Sequence, residues 1–130
     1  MSIKDLLEQN PDLPINKIQE IQKEYDRMFV DDSFSGFDKV RHTYAHMGKL
    51  FGRLAEYIQM TEDGTPISAD EVREKVIPDL IIYSCWLANE LGVDIGRVYL
   101  KRMISNIRRL HSDRMDPKEL EDLERYIRER

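Results

Sequence analysis

Three groups of side chains in this sequence recur at spacings that could do chemistry. In "HMGKLFGRLAEYI", His46, Lys49, Arg53 and Glu56 follow one another at intervals of three and four, which stacks side chains along one face of an α-helix. Imidazole, ammonium and guanidinium groups in that arrangement can meet phosphate oxygens directly. Further on, Asp79, Tyr83, Trp86 and Glu90 are spaced four, three and four. An acid beside two aromatics suits a nucleotide base, with the rings stacking and the carboxylate holding a polar edge. Arg102, Asn106 and Arg109 share a third face, the arginines for strength and the asparagine for orientation.

Each group also has a plainer reading. A Lys/Arg/Glu stripe opposite an apolar seam serves as a solvated face with a few ion pairs. Tyr83 and Trp86 serve equally as core or interface aromatics, with Asp79 a local cap after Pro78. The Arg102 face serves equally as a basic ridge pairing with the acids of "DPKELEDLE". His42 and His46, four apart, could hold a zinc ion, but the spacing supplies no third ligand. There is no nucleophile–base constellation and no glycine-rich phosphate loop, since "GVDIGR" lacks the P-loop spacing.

Helices must position these groups. "SIKDLLEQN" is a short first helix or a tail, ended by the prolines of "NPDLP". Asn16 is placed to cap a helix to about Phe29, and "DDSFSG" breaks it. From Phe37 to Met60, Val40, Tyr44, Met47, Phe51, Leu54 and Ile58 form the seam expected to face a bundle core. Ser68 and Glu71 form a capping-box pattern before a helix reaching Leu91, which Pro78 should kink or restart. Gly92 ends that helix. Asp94 caps another from Ile95 to His111, expected to bury Leu100, Met103, Ile104, Ile107 and Leu110. Asp116 and Pro117 open the last. No period-two segment is long enough for a strand, so the fold class expected is all-α: an antiparallel bundle of four to five helices.

The bulk composition narrows the partners. With 130 residues the chain is sized for one domain, and its net charge of −5 argues against nucleic acid as the partner. A basic patch nonetheless runs from Arg97 to Arg114, with Asp113 the single acid in it. The lone Cys85, inside "LIIYSCWLA", excludes an internal disulfide and a cysteine zinc cage, and reads as a small buried thiol. No signal-peptide pattern opens the sequence, and the apolar run around Leu80 to Leu87 is too short for a bilayer. A cytoplasmic protein without a membrane partner is expected.

The stretch "VIPDLIIYSCWLANELGVDIGRVYLKRMISNIRRL" resembles the second half of the MazG-like, all-α nucleoside triphosphate pyrophosphohydrolase family. Asp79, Tyr83, Leu87, Ala88, Gly92 and Asp94 fall at the family's spacing, as do Met103, Asn106 and Arg109 in "KMxxNxxR". "FGRLAEYI" is similar to the family's "xGELAEAI". The resemblance covers about residues 40–109 of a single domain over 1–130, with 1–14 and 112–130 peripheral. It implies a homodimer or homotetramer that cleaves a nucleoside triphosphate or related nucleotide to the monophosphate and pyrophosphate, using Mg2+. It also implies metal-holding acids as ExxE on one helix and ExxD on the next. Here those positions are Leu50, Arg53, Val76 and Asp79, so one acid of four remains. Glu74, two residues from its slot, points elsewhere. Asp79 is then the catalytic and metal-ligand candidate. His46, Lys49, Arg53, Tyr83, Trp86, Arg102, Asn106 and Arg109 are the substrate-binding candidates for a nucleotide or phosphorylated small molecule. The alternatives are a nucleotide-binding or sensing protein without catalysis, and a helical protein-interaction module.

Overall fold

The computed structural model describes residues 2–30, 33–34 and 36–129, and among them there are helices and turns but no strand. Of the expected "DDSFSG" break, Asp31, Asp32 and Ser35 lie outside the described residues. The helices are α1 (Ile3–Gln9), α2 (Ile15–Phe29), α3 (Phe37–Glu62), α4 (Ile77–Glu90), α5 (Ile95–His111) and α6 (Pro117–Arg128), one more than the expected upper count. A π-helical turn, Val72–Val76, leads into α4. The chain divides into two compact units, 1–93 and 94–130.

Local chemistry accounts for the helix ends. Ser2 and Asp5 close a capping box that makes α1 a helix rather than a tail. At α2 the cap position belongs to Pro14, two residues before the expected Asn16. Gly36 enters α3 at φ +60°, a left-handed conformation that side chains resist, and its N–H donates to Glu90 Oε1 at 2.7 Å. α3 and α4 both end in Schellman motifs. Gly64 and Gly92 take the left-handed position, while Thr65 and Val93 donate to the carbonyls of Met60 and Ala88 at 2.9 Å.

The expected disruption at Pro78 takes the form of the π-turn. Proline lacks an N–H, and its ring would crowd the carbonyl four residues back in a regular helix. The wider turn, in which Ile77 N–H reaches Val72 O, opens that space. Ser68 does not complete the expected capping box; its Oγ accepts from Asp70 N at 3.1 Å.

In the first unit α4 packs against α2 and α3, the π-turn against α3, and α1 against α2. Polar ties lock the layers: Gln19 Nε2 donates to Asn89 Oδ1 at 3.0 Å and to Val93 O at 2.7 Å, and Asn89 Nδ2 donates back to Gln19 O at 3.2 Å. Lys39 lies 3.5 Å from Glu90, both half-buried.

The core of this unit overturns the expected facing of α3. Leu50 is 3% exposed and Val76 is 0% exposed, joined by Thr43, Cys85, Trp86 and Ala88. The large residues of the expected seam instead face outward: Tyr44 is 80%, Phe51 58% and Ile58 54% exposed, with Val40, Met47 and Leu54 half-buried. The physical reason is that α3 carries two apolar stripes, and only one can meet α4. The stripe that does so admits Thr43, because its hydroxyl donates to Lys39 O at 2.9 Å and is satisfied without water.

In the second unit α5 packs on α6. Asp94 Oδ1 accepts from Arg97 N at 2.8 Å and Asp116 Oδ1 from Lys118 N at 2.9 Å, the caps expected at both helices. Burial on α5 falls short of expectation: Leu100, Met103, Ile104 and Ile107 are half-buried and Leu110 is exposed. A two-helix unit has too little surface to enclose that face fully.

Candidate functional site

Across the α3–α4 contact, four rings form a closed cluster. His42 and His46 project from α3 one turn apart, with centroids 4.1 Å apart. Tyr83 and Trp86 project from α4 and lie near parallel, at 6.1 Å and 17°. His46 stacks on Tyr83 at 5.0 Å and 19°, and His42 lies 5.1 Å from Trp86. Phe34 closes one side, edge-on to both His42 and Trp86. The cluster exists because three- and four-residue spacings on two packed helices bring four planar side chains to one seam.

Two features distinguish it from ordinary core. Trp86 is nine-tenths buried, and its Nε1–H has no hydrogen-bond partner among the described residues. An orphaned buried donor costs about 1–3 kcal/mol. His46 is the electrostatic centre. Burial, then the charges of His42 and Lys49, hold its imidazole pKa below the ordinary value, and the half-buried Asp79 opposes them. The neutral ring is thereby favoured. Burial, then Asp79, raises the Tyr83 phenol, which stays protonated. Lys49, exposed at the rim, can attract an anion, while the indole N–H lies inside the packed rings and can donate to a ligand only where they part.

Of the expected site residues, His46, Lys49, Asp79, Tyr83 and Trp86 are thus brought together. Arg53 goes elsewhere: it pairs with Glu71 of the segment leading into the π-turn, at 3.5 Å. Asp79, by contrast, acts on His46 and Tyr83 through its charge. Arg102, Asn106 and Arg109 belong to the second unit. There Arg109 Nη2 donates to Asn106 Oδ1 at 3.3 Å, and Arg102 and Asn106 line a shallow groove of about 320 Å³ with Tyr99, Met103, Ile107 and His111. The neighbouring Arg108, which is not part of that face, bonds Glu124 of α6. Phe34 was missed, lying outside any helical period; no spacing signal marks it.

The residues present do not fit the multi-ion magnesium centre that the resemblance implies. Leu50 and Val76 carry no donor atom and fill the core, and Arg53 is itself a cation. Asp79 supplies the single oxygen donor of the four positions. The His42–His46 pair finds no third ligand: among the described residues no three His, Cys, Asp or Glu side chains gather as a metal site. No single helix among the described residues is long and apolar enough to cross a membrane.

Comparison with protein-family models, with curated proteins and with solved structures finds no match to this chain.

Proposed function

We propose that this protein binds a nucleotide, or a phosphorylated planar metabolite of similar shape, without hydrolysing it. The scaffold in this reading is a divergent MazG-like antiparallel bundle in a cytoplasmic homo-oligomer. The observation that carries it is the His42–His46–Tyr83–Trp86 cluster with an orphaned indole donor and Lys49 beside it. In this reading the rings part to admit the ligand: stacking a base between them contributes about 1–3 kcal/mol, and an acceptor at Trp86 Nε1 would relieve the cost of the unpaired donor. Apolar side chains at two of the family's acid positions support binding over catalysis.

Trp86 is the chain's single tryptophan, so its emission reports on the site without interference. Titration with ATP, its deoxy and guanine counterparts, and inorganic triphosphate in EDTA should change that emission saturably for the nucleotides. Lys49→Glu should weaken the response. Emission and melting temperature that both ignore every nucleotide at millimolar concentration would sink the proposal. The hydrolytic reading draws on Asp79, half-buried and within electrostatic reach of His46. Magnesium-dependent pyrophosphate release that disappears in Asp79→Ala would establish it instead.

A further inference from the structure

The outward stripe of α3 has a pattern that one copy of the chain does not explain. Phe37, Tyr44, Phe51 and Ile58 recur every seven residues, and each is more than half exposed. Alongside them, also at seven-residue intervals, run Arg41, Gly48, Ala55 and Glu62, all exposed. Gly48 and Gly52 sit in mid-helix, where glycine is the poorest residue after proline. A Cβ built on either meets nothing within 4 Å. Packing within the chain therefore gives no reason for them, whereas the close approach of another backbone does. Beside Gly48 lies a groove of about 400 Å³ lined by Tyr44, Ala45, Met47, Gly48 and Phe51.

We propose that a second copy of this chain docks here, its α3 antiparallel to the first about a two-fold axis near Phe51 and Gly52. The charge pattern selects the occupant and the direction. Arg41 and Glu62 are equidistant from that axis, so each Arg41 meets the partner's Glu62, and each Gly48 meets the partner's Ala55. A parallel pairing would set Arg41 beside the partner's Arg41 and Glu62 beside the partner's Glu62, which like-charge repulsion opposes. Arg41 already lies over the Phe37 ring at 5.0 Å, which keeps its charge on the stripe. Phe51 covers the glycine-lined groove of the partner. The exposed parts of Phe37, Tyr44, Phe51 and Ile58 amount to roughly 500 Å² per copy, or about 1,000 Å² in a pair, the lower bound for a specific interface. The symmetry is that of the commonest homodimers. This inference rests on the proposed homo-oligomer, to which it gives an interface, and is independent of nucleotide binding at the ring cluster.

Sedimentation velocity on the full chain across a concentration series tests it. The expected result is a reversible monomer–dimer equilibrium that Phe51→Glu abolishes while the helical signal of the monomer persists. Arg41→Glu and Glu62→Arg should each weaken the dimer roughly tenfold, and the double exchange should restore it. A chain that stays monomeric at every concentration overturns the proposal, as does a dimer that ignores Phe51→Glu. A dimer weakened by both single exchanges but not rescued by the double one refutes the antiparallel arrangement.

Discussion

Leu50 and Phe51 are adjacent on α3, and their truncation should have opposite consequences. Leu50 is 3% exposed at the contact with α4 and the π-turn. Removing its side chain to alanine forfeits transfer energy and leaves a cavity, together about 2–5 kcal/mol. Against a total stability of about 5–15 kcal/mol that is a large fraction. For a chain of 130 residues each kcal/mol moves the melting temperature by roughly 3–5 °C, so Leu50→Ala should melt about 6–25 °C lower. Leu50→Glu goes further, because a carboxylate at this point is unpaired and desolvated. Its pKa in the folded state would rise above the unfolded value, so the deficit should grow as pH climbs toward neutrality and shrink on acidification, relative to Leu50→Gln. Phe51→Ala, at a position 58% exposed, should shift the monomer by less than about 0.5 kcal/mol. Thermal unfolding by circular dichroism at several protein concentrations separates these effects from loss of self-association. If Leu50→Glu melts with the parent and Phe51→Ala collapses, α3 faces the other way and the core assignment is wrong.

Other outcomes follow from the same contacts. The depressed pKa of His46 means that the unfolded chain takes up its proton first as pH falls below about 6.5, so stability should decline until the folded imidazole also titrates. His46→Gln should flatten that part of the melting-temperature profile, and an unchanged slope would remove His46 from the cluster's electrostatics. Burial raises the Asp26 carboxyl, despite the Gln22 hydrogen bond and the Lys39 charge. Asp26→Asn should therefore melt higher than the parent at neutral pH, with the gain fading as acid protonates the parent's carboxyl; equal melting at neutral pH would contradict this. Asp94→Ala should lose about 1 kcal/mol through the α5 cap, measurable by urea titration.

What could be read from the sequence was what local chemistry decides. The end of α4 and the start of α5 follow from Gly92 and Asp94, which act within a few residues. The gathering of His46, Tyr83 and Trp86 was within reach because their spacings keep them on single faces. The facing of α3 was not legible, since both of its stripes are apolar enough to be core and α4 decides between them. Arg53 reads as a phosphate ligand on the His46 face; its pairing with Glu71 depends on how the π-turn orients the segment before it. Phe34 joins the rings through a loop, where no periodicity exists to count.

The widened turn at Val72–Val76 has one more effect. Such a turn holds one residue beyond the α-helical count, so Asp70 and Glu71 lie roughly 100° out of phase with positions numbered back from Asp79. Deleting one residue there would return the turn to α-helical width and press the Pro78 ring against the carbonyl four residues back, destabilising the entry to α4. The same deletion would swing Glu71 away from Arg53 and free a guanidinium on the surface of α3.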